Sequence, residues 1–598
     1  MKLRRTAVSI AIGIGAAAWA SAQPAATFGQ YRPAAPYSEA VTASQYLPMR
    51  DGVRLAVSVT RPARGGAPVE GRFPIIWQHG LAIEAAGPLA PPAEQASPGP
   101  AQLPGYRAVS SLVYDGYVIV QVARRGQGSS FGKRRGYNDR TEAYDAYEVI
   151  DWLAAQPWST GAIGIYGCSN TGDASMHAVT AGNAHLKAAW AGCFSWEKYD
   201  AFLRGGIFAN WGTGPERTLE QDLANTPVQG DEAKVLLRQA AEDHQGATVL
   251  ADMWRAMPFR DDYAPGVGSR FWYEGSVASY MPQINASGTA IYIQGGWFDD
   301  LREQGLVTYA NLIHDKHILI GPWGHCRNDD FDLLSEMRRF FDQHLKGIDT
   351  GIPNQEPIHY FTINAPAGRE WRASPNWPVV GTRPTAYYLS GHSPAGGDLQ
   401  LRSPVGAGAR STFAVRYDVD CPTLVKRPDG LLTGAPPCPV VFAGPHFFTP
   451  ALKADTEITG DPVADLWVSS SASDGNFFIY LEDVAPDGKV VPVTDGRLKA
   501  SLRKLDKPRY DVLGLPWHRS DRQDAEPLTP GRPARLVFNL LPTSYVFKAG
   551  HRIQISVAGA DYRERDRSPV SPAPVVTLYD TPANPSFVAL PIIDPHPW

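Results

Sequence analysis

The chain has 598 residues, of which 43% are hydrophobic, 11% aromatic and 19% charged, enough for several folded units at roughly 100–200 residues each. Its 56 basic and 60 acidic residues leave a net charge of −4, so the electropositive surface with which a nucleic-acid binder displaces counterions is missing. The 57 glycines and 52 prolines follow no fixed period, which excludes collagen-like and low-complexity readings and suits a turn-rich chain.

In chain order, the first element reads as an address. Lys2, Arg4 and Arg5 precede an apolar run from Ala7 to Trp19, and Ala20-Ser21-Ala22 supplies small residues at a cleavage position. This three-part pattern over residues 1–22 is that of a secretory signal. The mature chain is expected to start near Gln23 and to be periplasmic or secreted. No later run reaches the roughly 18 consecutive apolar residues of a membrane span. Export admits disulfides. Cys421 and Cys438 share one Pro/Gly-rich stretch and are expected to close a local loop, while the pairing of Cys168, Cys193 and Cys326 stays open. The His314-x-x-His317 pair has no third ligand close by, and there is no Cys-x-x-Cys, so neither a metal nor another cofactor is expected.

From Phe73 to Cys193 short apolar runs alternate with helical patterns, the signature of βαβ units and a parallel sheet. Pro74–Trp77 and Tyr117–Val122 read as buried strands. Tyr144, Tyr147, Ile150 and Leu153 recur at three-residue steps and mark an amphipathic helix. Ile163–Gly167 is a strand running into a sharp turn at Ser169, and Ala188–Gly192 is the next strand. The alternation then stops. Residues 195–282 are polar and helical in pattern, and are read as a cap inserted between strands of one sheet. Strands return at Ala290–Gly295 and Ile318–Gly321, followed by a helix from Asp332 to about Lys346. Beyond about Val380 the texture changes to short β-branched or aromatic runs, such as Asp465–Ser470 and Arg552–Val557, separated by turns. Those suggest a β-sandwich or jelly roll. The expected division is an α/β core over 30–194 and 283–365, a helical cap over 195–282, and a β domain over 380–598.

The chemistry-bearing motif is Gly167-Cys168-Ser169-Asn170-Thr171-Gly172, between a strand and an Ala-rich helix. A strained strand–Ser–helix turn projects the hydroxyl into a cleft. A serine hydroxyl is a poor nucleophile near neutral pH and needs a base oriented by a carboxylate. In α/β-hydrolases these follow in the order Ser, Asp or Glu, then His, at strand ends. Gly295-Gly296-Trp297-Phe298-Asp299 supplies the carboxylate, and Gly321-Pro322-Trp323-Gly324-His325 the base.

With these residues in place the chain resembles the cocaine esterase, α-amino-acid ester hydrolase and glutaryl acylase group of CocE/NonD-type hydrolases, related to X-prolyl dipeptidyl peptidases. Further landmarks are Arg125-Gly126-Gln127-Gly128-Ser129-Ser130, the Asp151–Trp158 segment and Leu481–Gly488. The resemblance implies an α/β-hydrolase core, a helical cap and a C-terminal β-sandwich, with Ser169, Asp299 and His325 as triad. It also implies a small-molecule ester or amide substrate; the oligomeric state stays open. Two departures stand out. Asn170 replaces the family's usual tyrosine after the nucleophile, although its backbone N–H still serves an oxyanion hole. The loop Trp77-Gln78-His79-Gly80-Leu81 lacks the family's tyrosine, which leaves His79 or a neighbouring N–H as second donor.

Leu301 and Arg302 stand where aminoacyl-specific members carry ammonium-binding acids, so Arg302 is expected to face the substrate and disfavour a free amine. Trp196, Tyr199, Phe202, Phe208 and Trp211 are expected to wall the acyl pocket. The leading reading is an exported serine hydrolase of small acyl esters or amides. Behind it stand an X-prolyl dipeptidyl aminopeptidase, an α-amino-acid ester hydrolase or β-lactam acylase, and a non-catalytic exported glycan- or partner-binding protein.

Overall fold

A computed structural model describes residues 28–88, 108–209, 217–393, 396–404, 408–418, 444–561 and 569–594. The signal-like segment and the Cys421/Cys438 pair lie outside them. Among the described residues twelve strands form the first sheet. The ten longer ones are β1 (Glu39–Pro48), β2 (Arg54–Arg64), β3 (Phe73–Gly80), β4 (Val118–Ala123), β5 (Ser159–Cys168), β6 (Leu186–Gly192), β7 (Ala290–Gly296), β8 (Lys316–Gly321), β9 (Ile358–Phe361) and β10 (Trp371–Ser374). Their lateral order is β10-β9-β8-β7-β6-β5-β3-β4-β2-β1. From β9 across to β4 every pair is parallel, and antiparallel strands close both edges.

The side-chain period of two sends each strand's residues to two separate cores. Ile75, Trp77, Ile163, Ile165, Ile291 and Ile293 enter one; Ile76, Tyr166, Trp190, Tyr292 and Leu319 enter the other. Helices α1 (Arg140–Ala154), α2 (Asn170–Thr180) and α3 (Arg302–Asn311) cover the first core, and α4 (Leu333–Phe341) the second. Helix α1 starts where the Asp139 side chain accepts from the N–H groups of Thr141 and Glu142, satisfying orphan donors of the first turn. Its buried stripe differs from the expected one. Ala143, Ala146, Val149, Ile150 and Leu153 are buried, whereas Tyr144 and Tyr147 are exposed. Tyr144 instead lies under the guanidinium groups of Arg50 and Arg140, 5.6 and 4.8 Å from its ring centre. The small alanines let α1 sit close to the sheet, which turns the large rings outward.

Between β6 and β7 run helices Lys198–Phe202, Leu219–Leu223, Val235–His244, Leu250–Arg255, Phe271–Glu274 and Met281–Ser287. They enclose a small core of their own, built on Phe202, Trp254, Phe271 and Trp272. The C-terminal half contributes a second, 13-stranded and mostly antiparallel sheet. Its strands close over one apolar core that includes Phe447, Leu466, Leu481, Phe547 and Val557.

Buried arginines tie the three parts together. Arg260 of the cap pairs with Glu197 and, at 2.8 Å, with Asp200, while its Nε donates to the Arg519 carbonyl of the β domain at 2.7 Å. Arg372 of β10 meets Glu457 of the β domain at 2.7 Å. Burial pushes the Glu197 and Asp200 carboxyls up, and the Arg260 charge is the main opposing pull. Arg260→Leu therefore leaves the buried Glu197 and the partly buried Asp200 carboxylates without their cation. We expect a loss of about 3–5 kcal/mol, read as a lower urea midpoint by tryptophan fluorescence; a midpoint equal to wild type would refute it.

Candidate active site

Strand β5 delivers the chain into a turn too tight for ordinary residues. Ser169 has φ 59° and ψ −127°, between Cys168 at the end of β5 and Asn170 at the start of α2. A Cβ on Gly167 would lie 2.2 Å from the Thr171 carbonyl oxygen, and one on Gly172 would lie 2.4 Å from that of Gly192. Both glycines are thus required by contact. Thr171 occupies a position where a glycine is usual in such turns. Its hydroxyl donates to the Cys168 carbonyl at 2.8 Å and accepts from the Cys168 N–H at 2.9 Å, so a side chain closes the turn.

Asn170 is the first residue of α2, and its N–H is one of the donors that a helix leaves unpaired in its first turn. Its side-chain oxygen accepts from Arg124 at 3.2 Å. Arg124 is in turn paired with Glu142 at 3.0 Å and bonded to Asn138. One turn into α2, Asp173 accepts from both the N–H and the hydroxyl of Ser195 at 2.7 Å. This buried polar layer under the turn was not anticipated from the sequence, because its members are spread over some seventy residues.

The loops after β7 and β8 are stitched to one another by main-chain bonds. Trp297 N–H donates to Gly321 O, and Phe298 N–H to Trp323 O, each at 2.9 Å. A Cβ on Gly296 would meet the Trp323 oxygen at 2.3 Å, which again demands glycine. The stitching sets Asp299 against His325. The His325 Nδ1 lies 3.2 and 3.1 Å from the two Asp299 oxygens, and Asp299 also accepts from the Leu301 N–H at 3.1 Å. With Nδ1 engaged, Nε2 is the nitrogen left for a hydroxyl. The neighbouring Asp300 instead lies 3.7 Å from Arg497 of the β domain.

Electrostatics follow from that geometry. Desolvation by the surrounding loops pushes the His325 imidazole down. The Asp299 charge and hydrogen bond, helped by Asp300 and Asp173, outweigh it and leave the imidazole above its ordinary value. Burial raises Asp299, but His325 and the Cys193 and Leu301 hydrogen bonds hold it below the usual carboxylate range. His79 is buried at the end of β3. Desolvation and then the charges of Arg124 and Arg125 keep it well below the ordinary value, hence neutral. Its Nε2 has no hydrogen-bond partner among the described residues.

The expected substrate-facing residues are placed otherwise. Arg302 is 5% exposed and spends its donors on the Pro542 carbonyl (2.8 Å), the Asp299 carbonyl (2.7 Å) and the Thr494 hydroxyl (2.8 Å). It braces the loop of Asp299 against the β domain, which corrects its reading as a substrate contact. Tyr199, Phe202 and Phe208 are buried in the cap's own core, and Trp196 in a core of the first sheet. Their packing corrects their assignment to a pocket wall; Trp211 lies outside the described residues. Phe298, overlooked in the sequence, is 36% exposed beside Asp299. A cavity of about 70 Å³ bordered by Trp196, Asp200, Arg204, Glu303, Tyr510 and Trp517 lies where cap, α3 and β domain meet. None of Ser169, Asp299 and His325 lines it.

The structure answers the cysteine pairing left open. Cys168 and Cys326 form a disulfide with Cα atoms 5.9 Å apart, and Cys193 is a buried free thiol. Among the described residues, the groups that bring three metal-ligating atoms together are Cys168/Cys193/Cys326 and Cys193/Asp299/His325. The first has two sulfurs in the disulfide, and in the second Asp299 is already committed to His325.

A parallel α/β sheet, a serine in a strained strand–helix turn and an Asp-bound histidine at neighbouring strand ends define a serine hydrolase. Residues 51–327 match the X-Pro dipeptidyl-peptidase (S15) family, and residues 350–588 match the C-terminal non-catalytic domain of X-Pro dipeptidyl-peptidases. A Mycobacterium bovis protein provisionally described as a serine esterase is 31% identical, over 92% of this chain and 95% of its own length. Cocaine esterase of Rhodococcus is 25% identical, over 92% of this chain and 98% of its own. Among solved structures, a CocE/NonD family hydrolase of Staphylococcus aureus superposes with a TM-score of 0.68 at 20% identity, covering 92% of this chain and 93% of that one. An α-amino-acid ester hydrolase gives 0.66 at 20% identity, covering 94% and 98%. The chain belongs to the CocE/NonD family of serine esterases and hydrolases, relatives of the S15 X-Pro dipeptidyl-peptidases.

The raised His325 imidazole has a direct kinetic signature. Only the neutral ring takes a proton from serine, so kcat/KM should rise with pH through a midpoint above the ordinary value of about 6.5. Asp299→Asn should cost about 10⁴-fold in kcat, and Asp300→Asn far less. A larger loss from Asp300→Asn would reverse the two roles.

Proposed function

We propose that the protein hydrolyses small carboxylic esters through an acyl-enzyme on Ser169, with His325 as general base and then general acid, and Asp299 holding the imidazole. The observation that carries this reading is the Asp299–His325 bond, beside a serine held at φ 59° whose chain neighbour is covalently joined to that of the histidine. His325 Nε2 takes the hydroxyl proton as Oγ attacks the carbonyl, and returns it to the departing alkoxide. Water then repeats the sequence on the acyl group. The developing oxyanion is assigned to the Asn170 N–H, with His79 or the adjacent backbone as second donor.

The substrate reading rests on what surrounds the serine. Leu301 packs into the cap core, Arg302 is spent on backbone and hydroxyl partners, and the cap acids Glu197 and Asp200 are paired with Arg260. Those carboxylates are committed elsewhere, which favours plain or N-acylated acyl esters over free α-amines and over aminoacyl-proline peptides. The esterase named among the relatives points the same way. Phe298, exposed next to Asp299 in the chain, is the ring we assign to an apolar acyl group. Export is supported by the signal-like residues 1–22 and by a disulfide, a bond that persists in oxidising compartments.

Ser169→Ala should lower kcat on p-nitrophenyl butyrate on the order of 10⁴-fold or more. An N-acetylated amino-acid ester should be cleaved at least as efficiently as its free-amine twin, and alanyl-proline p-nitroanilide poorly. A marked preference in kcat/KM for the free amine would restore the aminoacyl reading.

A further inference from the structure

Three strand ends around the candidate triad each carry a cysteine. Cys168 ends β5, Cys193 directly follows β6, and Cys326 lies in the loop after β8. Cys168 and Cys326 are joined, and the Cys193 sulfur lies within 4.8 Å of both. All three residues are almost fully buried. The cluster adjoins every member of the triad. Ser169 is peptide-bonded to Cys168, and His325 to Cys326. The Cys193 sulfur lies within 4.8 Å of an Asp299 carboxylate oxygen, and it accepts from the Cys326 N–H at 3.3 Å.

The backbone at these places is strained. Ser169, Cys193 and Cys326 have φ of 59°, 46° and 57°, a region that residues with a Cβ seldom occupy. Such conformations persist only where the surroundings over-determine them. Here the surroundings are the three sulfurs together with main-chain bonds from Ser169 N–H to Gly192 O and from Cys193 N–H to Gln294 O, each 2.9 Å. A bridge placed only to stabilise the fold acts on the unfolded chain and has no need to join these two loops.

We propose that this three-sulfur cluster positions the triad: the Cys168–Cys326 disulfide fixes the serine turn against the histidine loop, and the Cys193 thiol steadies Asp299. The inference rests on the Ser169/Asp299/His325 reading. In this scheme Cys193 works as a protonated donor. Burial and then the Asp299 charge push its thiol well above the ordinary value, so little thiolate forms to attack the adjacent disulfide. The bridge opens only with an added reductant: dithiothreitol gives two electrons and two protons, leaves as its cyclic disulfide, and yields two cysteine thiols.

The test uses the full chain, with kcat, KM, a pH profile and a melting temperature measured for each variant on p-nitrophenyl butyrate. Cys168→Ala/Cys326→Ala should lower kcat at least tenfold with KM within about threefold, at a temperature well below melting. Wild type treated with dithiothreitol should fall equally once alkylation mapping shows Cys168 and Cys326 free, and recover on reoxidation. Cys193→Ala should lower kcat about three- to tenfold. Losing the thiol leaves more charge on Asp299 to hold the imidazolium, so the acidic limb should move to higher pH; Cys193→Ser should largely restore both. A double variant, or a mapped reduced enzyme, that melts lower but keeps kcat within twofold overturns the proposal. If the double variant does not fold, Cys193→Ala with wild-type kcat and pH limb overturns it. Ser169→Ala separates the two levels: activity surviving in that variant refutes the triad, whereas an inactive Ser169→Ala beside fully active sulfur variants refutes only the positioning role.

Discussion

Backbone oxygens at the carboxyl edge of the first sheet approach so closely that no Cβ fits between them, and the hydrolytic geometry depends on this contact. Gly167, Gly172 and Gly296 would each place a Cβ within 2.4 Å of a carbonyl oxygen. Because the strands there are parallel, every loop leaves from the same edge, and three loops must turn away within a few ångströms of one another. Glycine supplies the room. Hydrogen bonds between the loops, and the sulfur atoms beneath them, remove the freedom that this room would otherwise leave.

The remaining architecture braces that edge, where the His325 side chain itself stays 43% exposed. The cap gives its rings to its own core, with Phe202 tilted at 47° against Trp254 and 4.3 Å between ring centres. Rigidity is gained there at the expense of a wide aromatic wall. The buried arginines perform a similar task at the joints. A guanidinium offers five donors in a fixed fork and stays charged, so a single Arg302 satisfies acceptors from two sheets at once. Charged side chains thus hold the parts of the molecule in register where apolar contact alone would allow sliding.

Much of this was legible in the sequence, and what was not has identifiable causes. The serine turn, the core strands and the Asp299 and His325 loops lie in contiguous motifs whose neighbours are local. In α1, Ile150 and Leu153 lie on the core face as expected, but Tyr144 and Tyr147 yield it to Ala143 and Ala146, because tyrosines at three-residue spacing look like a core face when small alanines do the packing. Arg302 looked like a free charge since its acceptors, Pro542 and Thr494, lie 240 and 192 residues away. The Cys168–Cys326 link spans 158 residues, a separation at which spacing carries no pairing information. The cap rings showed chemistry suited to either a pocket or a core, and only their burial separates the two.

The Arg302 brace bears on the modularity of the chain. Its Nη1 holds the carbonyl of Asp299, while Nε and Nη2 are held by Pro542 and Thr494 of the β domain. A hydrolase core expressed without its C-terminal half would uncover the guanidinium at the Asp299 loop and lose two of its three acceptors. The domain described in relatives as non-catalytic is in this sense part of the scaffold of the Asp299–His325 pair. Grafting a foreign β domain onto this core would preserve the fold of each piece and still leave the carboxylate loop without its anchor, so the two halves are constrained to be inherited and engineered as one unit.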